Sequence, residues 1–256
     1  LKRLMHGPWL PPAVKEGLFA FPGPLSRAVI HHLDRIATAP SEITAYHAIS
    51  RNVTRRADYF PEGVAVKVIH HPSDLPPPAN APAVEENTPG YLFTVSRLDG
   101  PKRLDLLVRA FLLTKVDLEL RIAGTGPMEA ELKALAANDP RIRFLGFVRD
   151  SDVAAQYQDA LAVPFLPYDE DYGLITVEAM SAGKPVMTTT DAGGVNEFVS
   201  HGETGWCVAP TPEALANAIT QAAEQRTRTR AMGENARQAV AHVTWQDTVR
   251  ELITTP

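Results

Sequence analysis

The sequence is short of several things at once. Cys207 is the only cysteine in 256 residues, so no intrachain disulfide can form and a disulfide-stapled scaffold is excluded. A single thiol fits a reducing compartment, and a cytoplasmic location is the expectation. No run of about 18 consecutive apolar residues occurs, which leaves no candidate transmembrane helix. No signal-peptide pattern is visible, and the chain opens on Leu1-Lys2-Arg3 rather than Met, which suggests a missing or trimmed N-terminus. An excess of positive charge is lacking too. Lys plus Arg is 25 against 30 Asp plus Glu, a net charge of −5, so nothing asks for a nucleic-acid partner.

What is present is an ordinary globular composition, 45% hydrophobic and 21% charged, with 22 prolines that cluster. That suffices for one large domain, or one domain plus a fragment. The stretch from Asp74 to Pro89, DLPPPANAPAVEENTP, has no apolar periodicity and too few N–H donors for a helix or central strand. It is read as a linker over 74–89. Beyond it, apolar runs alternate with helical spacing. Strands are expected at Tyr91–Ser96, Leu118–Ala123, Ile142–Gly146, Ala160–Leu166, Pro185–Thr189 and Gly205–Val208. Helices are expected between them and in three closing stretches, Pro212–Gln225, Thr229–His242 and Trp245–Leu252. This alternation implies an α/β fold, a parallel sheet with helices on both faces, whose ligands bind beyond the carboxyl ends of the strands. Before the linker the pattern is thinner: a strand at Leu1–Met5, a helix at Leu25–Ile36, a helix around Asn52–Tyr59 and a strand at Val64–Ile69. So short a stretch cannot cover both faces of a sheet, and it reads as the tail of a second domain.

Four turns carry candidate chemistry. Ser96-Arg97-Leu98-Asp99-Gly100-Pro101-Lys102 places two cations where a strand gives way to a helix. That suits a diphosphate, because Arg forks onto two oxygens and Lys serves as a point charge; on spacing alone a solvated basic turn is as good a reading. Ala123-Gly124-Thr125-Gly126-Pro127 allows close backbone approach, or is plain turn chemistry. Glu170-Asp171-Tyr172-Gly173-Leu174-Ile175-Thr176-Val177-Glu178 sets one glutamate before a glycine-led helix start and one inside the helix, where free amides and a carboxylate could meet an anion and sugar hydroxyls. Taken alone, a capped helix with a surface Glu is favoured. Asp191-Ala192-Gly193-Gly194-Val195-Asn196-Glu197 offers amides to a sugar or phosphate, or is only a tight turn. Asp169, Glu170 and Asp171 are consecutive and do not converge on one ion, so no metal site is expected.

The order and spacing of these segments resemble the family-4, or group 1, retaining glycosyltransferases of the GT-B fold. The most specific piece is Glu170–Ala179, EDYGLITVEA, which is similar to the family's two-glutamate motif. Ser96–Lys102 resembles its Arg-Leu-x-x-x-Lys diphosphate site. AGTGP at Ala123–Pro127, FLGFV at Phe144–Val148, GGVNEFV at Gly193–Val199 and GETGWCV at Gly202–Val208 resemble further family segments, and AISRNVTRR at Ala48–Arg56 resembles a helix near the end of the first lobe.

The resemblance implies a GT-B-type Rossmann-like domain, preceded by the tail of a second Rossmann-like lobe. Residues 1–73 would be the remnant of an acceptor-binding lobe, 90–243 the nucleotide-sugar donor domain, and 244–256 a helix crossing back toward the first lobe. Arg97 and Lys102 would neutralise the donor diphosphate, Glu170 would lie by the donor sugar, and His6, in Met5-His6-Gly7-Pro8, would lie near the anomeric centre. Glu178 would bind the ribose, Phe147 and Val148 would sit near the base, and Gly124, Gly126, Gly173, Leu174 and Ile175 would line the nucleotide sugar. No cofactor and no metal are implied. The implied donor is a nucleoside diphosphate sugar, and the acceptor a glycan, a lipid-linked carrier or a small molecule. Two other readings stand beside the transferase: a non-catalytic donor-binding module or split-enzyme subunit completed by a missing lobe or partner chain, and a sugar-nucleotide epimerase. Some relatives meet the inner membrane face through a basic patch. Arg51, Arg55, Arg56 and Lys67 are the candidates here for peripheral association, although the acidic net charge favours a solvated face.

Overall fold

The computed structural model describes residues 23–56, 59–75 and 90–254, and elements are numbered among these. The chain divides into two compact units. The smaller takes in residues up to His47 and Arg56–Lys67. Its helix α1, Pro24–Ala37, starts on Pro24, whose fixed φ suits a first turn, and ends on Thr38, whose hydroxyl and amide both bond Asp34 O. Helical spacing puts Val29, Leu33 and Ile36 on one side, as the sequence predicts, yet all three are exposed. Tyr46 closes this unit locally. Its hydroxyl donates to Thr38 O at 2.6 Å, and its ring meets Phe60 edge-on. Strand β1, Tyr46–Ala48, pairs with β2, Val66–Val68.

The larger unit takes in Ala48–Arg55 and Val68–Thr254. Its sheet is parallel throughout. One ladder runs through β3 (Gly90–Val95), β4 (Leu118–Ala123) and β5 (Ile142–Gly146), and a second through β6 (Val163–Pro164), β7 (Val186–Thr189) and β8 (Gly205–Val208). A parallel bridge, Leu92 to Ala162, joins the two, with Phe93 N donating to Ala162 O and Leu161 N to Tyr91 O. The resulting order is β5-β4-β3-β6-β7-β8, the doubly wound arrangement whose strand order reverses between β3 and β6. Strand β3 is buried on both faces. Leu92 packs with Leu107, Phe111, Leu120, Ile122 and Ile219 on one side, while Tyr91 and Phe93 pack with Tyr157, Val177 and Met180 on the other. Both faces are dry, so the strand reads as a continuous apolar run rather than an alternation.

The helices are α3 (Leu104–Leu112), α4 (Glu129–Leu135), α5 (Asp150–Asp159), α6 (Leu174–Ser181), α7 (Pro212–Glu224), α8 (Arg226–Ala239) and α9 (Trp245–Thr254). Strands β4, β5 and β8 fall where the sequence places them. Two expectations need correction. The helix expected at Asn52–Tyr59 is only the single turn α2, Arg51–Thr54, capped by the Ser50 hydroxyl on Val53 N. The strand expected over Ala160–Leu166 is regular only at Val163–Pro164, with an isolated bridge at Ala162 and a further bond from Phe165 N to Met187 O on either side. Helix α9 is docked within the larger unit: Trp245 Nε1 donates to Asp74 Oδ1 at 2.9 Å and Thr248 Oγ1 to His70 O at 2.9 Å. The expected strand Leu1–Met5 and most of the 74–89 linker lie outside the described residues.

Candidate functional site

Ligands of a doubly wound sheet bind where strand order reverses, past the carboxyl ends of the strands. The loops that leave β3 and β6 flank that point here, and each carries a candidate. Lys102 sits in a short 3-10 turn after β3, and Glu170 in the loop after β6. Their side chains meet, Nζ to Oε2, at 2.5 Å, with about a fifth to a quarter of each exposed (22% and 25%). Lys102 Nζ also lies 5.5 Å from the Phe165 ring centroid. An ammonium has three donors, so this contact leaves others for a ligand. The Arg97 side chain is 79% exposed, and its Nε lies 3.5 Å from Asp99 Oδ2. Its fork is open to solvent.

The three loops after β3, β4 and β5 are laced together. Leu98 N donates to Thr125 O, Met128 N to Leu98 O and Gly124 N to Gly146 O. Gly124 has φ +118°, and a Cβ there would lie 1.8 Å from Ser96 O. The Gly124 and Gly126 turn is therefore required first to bring its loop against the Ser96–Leu98 backbone. Phe147 is 79% exposed at the end of β5, and Val148 beside it is half-buried.

Glu170 is held by its backbone. Its N–H donates to Ala192 O, and its carbonyl accepts from Gly194 N and from Asn52 Nδ2. Gly193 has φ +72°, and a Cβ there would meet Glu170 O at 2.5 Å and Asn52 Nδ2 at 2.7 Å. The paired glycines thus let the 190s turn lie flat on the Glu170 segment. Side chains alternate along that segment: Glu170 turns to Lys102, while Asp169, at φ +48°, accepts from Asn52 Nδ2 at 3.0 Å. The Ser50 hydroxyl donates to Asp171 O.

Gly173 is the N-cap of α6, with φ +80°. The first-turn amides, those of Leu174 and Ile175, have no intrahelical acceptor and carry the positive end of the helix dipole. Glu178 lies inside this helix with both carboxylate oxygens engaged. Ser73 Oγ donates to Oε1 at 2.7 Å and Tyr157 Oη to Oε2 at 3.1 Å. Burial raises the Glu178 pKa above the usual glutamate value, and the two hydroxyls pull against that shift. Burial, then the Glu178 charge, pushes the Tyr157 phenol well above its ordinary value.

The structure thus brings Lys102 and Glu170 together, sets Arg97 in the same turn, and puts Gly173, Leu174, Ile175 and Glu178 on one helix. His6 lies outside the described residues. Three residues escaped the sequence reading. Arg103, at φ +49°, donates to Leu166 O, Pro167 O, Thr189 Oγ1 and both oxygens of Asp191. It ties the β6 and β7 loops behind Lys102 and holds the Asp191 carboxyl below its usual pKa. Asn52 and Ser73 are the others. Among the described residues no three His, Cys, Asp or Glu side chains gather as metal ligands, and no helix is long and apolar enough to cross a membrane.

A parallel sheet in this order, with a cation and a carboxylate paired at its switch point, defines a doubly wound α/β domain with its candidate ligand site past the carboxyl ends of the strands. The model of the glycosyl transferases group 1 family matches residues 79–239, and the chain belongs to that family. It is 32% identical over 155 residues to N-acetyl-alpha-D-glucosaminyl L-malate synthase of Bacillus anthracis, covering 58% of this chain and 40% of that protein. It is 32% identical over 173 residues to D-inositol 3-phosphate glycosyltransferase of Corynebacterium kroppenstedtii, covering 63% and 38%. The chain therefore spans less than half the length of these two relatives. Among solved structures, Anabaena Alr3699/HepE in complex with UDP and glucose superposes with a TM-score of 0.74 at 22% identity, over 88% of this chain and 66% of that one. That likeness bears out the GT-B-type fold.

Proposed function

We propose that this chain is the donor-binding part of a retaining glycosyltransferase that moves a sugar from a nucleoside diphosphate sugar to an acceptor hydroxyl. The observation that carries the reading is the Lys102–Glu170 pair at the switch point, beside the open Arg97 fork and the α6 N-terminus. Family membership and the UDP bound by the Anabaena protein support the donor class. Transfer breaks the bond from the anomeric carbon to a phosphate oxygen, and negative charge grows on the departing diphosphate. Cations and helix amides fixed in advance lower the energy of that charge more in the transition state than in the ground state. Arg97, Lys102 and the Leu174 and Ile175 amides would do this. Glu170, held by its backbone, would accept from sugar hydroxyls, and we assign it no nucleophilic role. Glu178 would take the ribose hydroxyls, and Phe147 would offer its exposed ring to the base.

One second reading has an observation behind it. Because the chain spans 40% and 38% of its two relatives, it could act as a donor-binding module that transfers only with a first lobe supplied separately. We further propose that the smaller unit, residues up to His47 and Arg56–Lys67, belongs to that acceptor lobe.

The test is incubation with UDP-, GDP- and ADP-sugars and sugar acceptors, with and without the first lobe of a relative. Free nucleoside diphosphate and a glycoside of the donor's anomeric configuration support the proposal. An inverted product, or epimerised donor without transfer, overturns it.

A further inference from the structure

On the far side of the Glu170 segment from Lys102 lies a cavity of about 540 Å³ within the larger unit. Arg51 and Arg55 line it, with Tyr168, Asp169, Thr190 and Glu197 among the other walls. The carboxylates in these walls are already supplied with donors. Asp169 takes Asn52 Nδ2, Asp191 takes the Arg103 fork, and Glu197 takes the Asn52 amide on Oε1 and His70 Nε2 on Oε2. The two guanidiniums are not so committed. Arg51 and Arg55 are four residues apart, so they project from the same side of the α2 turn. Neither makes a side-chain hydrogen bond or an ion pair among the described residues. The hydroxyls of Thr190 and Tyr168 likewise have no hydrogen-bond partner there. The uncommitted groups of the cavity are thus two forked cations and two hydroxyl donors.

That set fits a phosphate monoester, since guanidinium forks fit phosphate oxygens and free hydroxyls can donate to them; Asp169, Asp191 and Glu197 also stand in the walls, so the group is held by directed hydrogen bonds rather than by net charge. The volume exceeds that of one phosphate, leaving room for the body that carries it. We propose that this cavity binds a phosphate monoester between Arg51 and Arg55, and that the group belongs to the acceptor. The acceptor assignment rests on the transferase reading; the phosphate site does not. The monoester could be carried by a soluble polyol or sugar phosphate or by a lipid headgroup.

The experiment follows the side-chain amide signals of Asn52 and Asn196, both in the cavity wall, in nuclear magnetic resonance spectra of the chain. The probes are glycerol 3-phosphate, vesicles of phosphatidylcholine with phosphatidic acid, and UDP. Saturable shifts are expected with at least one monoester probe. In R51A/R55A its affinity should fall at least about tenfold, as loss of charge-assisted bonds requires. Because Arg51 and Arg55 are exposed, that variant keeps its fold, which an unchanged backbone amide spectrum verifies. In R97A/K102A the same shifts persist. Response to glycerol 3-phosphate assigns a soluble source, and response to vesicles alone assigns a lipid one. No saturable shift with either probe, or equal affinity in R51A/R55A, overturns the proposal. Failure of UDP to bind while the monoester still does would sink the donor reading and leave the phosphate site standing.

Discussion

Lys102 Nζ and Glu170 Oε2 lie 2.5 Å apart, joining the loop that follows β3 to the loop that follows β6 across the switch point of the sheet. A cation and a carboxylate this close hold each other in place, yet both keep unused hydrogen-bonding capacity. On the transferase reading the pair prearranges the diphosphate cation and the sugar-facing carboxylate together. Lys102→Ala should therefore lower donor turnover by more than it weakens nucleotide binding. The check is kcat against KM for nucleoside diphosphate release from the donor sugar, by the chain together with whatever first lobe transfer requires. A loss confined to KM would mean that Lys102 contributes only ground-state binding.

Ser73 and Tyr157 fix Glu178 from two sides. If Glu178 takes the ribose hydroxyls, the chain should prefer a nucleotide with its 2′ and 3′ hydroxyls over the 2′,3′-dideoxy form. That preference should shrink severalfold in S73A/Y157F and vanish in E178Q. Comparing the two ligands in each variant by calorimetry measures it. Equal discrimination in all three proteins would place the ribose elsewhere.

The same glutamate sets a pH dependence. Burial raises its folded pKa above the unfolded value, so the folded state prefers the protonated form. This contribution to stability is fully present below the unfolded pKa, near 4.5, and is lost as pH rises through the folded pKa. Glu178→Gln should accordingly melt higher than the parent at pH 7, and the gap should close as the pH is lowered toward 4. It should do so while weakening nucleotide binding, a trade of function against stability. Melting curves across pH test this, and a variant less stable at pH 7 than at pH 4 relative to the parent would contradict it.

Arg103 is the structural counterpart of Lys102 on the other side of the turn. Arg103→Ala leaves Leu166 O and Pro167 O without their Arg103 donor and Asp191 without its cation, held by the Thr189 hydroxyl, and should cost roughly 2–4 kcal/mol. Arg103→Lys keeps the charge without the fork and should recover only part of that. Denaturant midpoints decide it; an unaltered midpoint in both variants would remove Arg103 from the account.

Gly193→Ala should be worse for the site than for the fold. The new methyl would need φ near +72° and would collide with the Glu170 carbonyl. With φ +72° and ψ −128°, Gly193 lies outside the left-handed helical well in a region nearly confined to glycine, so the backbone alone costs about 1–3 kcal/mol, while displacement of the Glu170 segment disturbs the pair with Lys102. A variant that folds but loses donor turnover is expected. Full turnover would show that the contact of Gly193 with Glu170 does not position the site.

Most of the larger unit was legible because local signals agreed there. Leu118–Ala123 alternates apolar with charged residues and Gly205–Val208 is a short apolar stretch, and both form strands with those bounds. Helix α6 begins one residue after Gly173, where the glycine-led start places it. Legibility failed where tertiary contacts decided the outcome. The α2 turn stops early, with Ser50 as its cap and Asn52 engaged with the Glu170 segment. Arg103 sits directly before an apolar helix, where a sequence shows only a solvated charge; its importance comes from acceptors more than sixty residues away. Ser73 lies at the margin of a proline-rich stretch and gains meaning only from Glu178, 105 positions on.

The most direct test of the central claim is calorimetric titration of the chain with UDP, GDP and ADP, alongside R97A/K102A. The account predicts saturable binding of at least one nucleotide, weakened about a hundredfold or more in the double variant, as loss of two charge-assisted phosphate contacts implies. Binding of none of the three, or undiminished binding by R97A/K102A, would contradict the assignment of the switch point between β3 and β6 as the donor site.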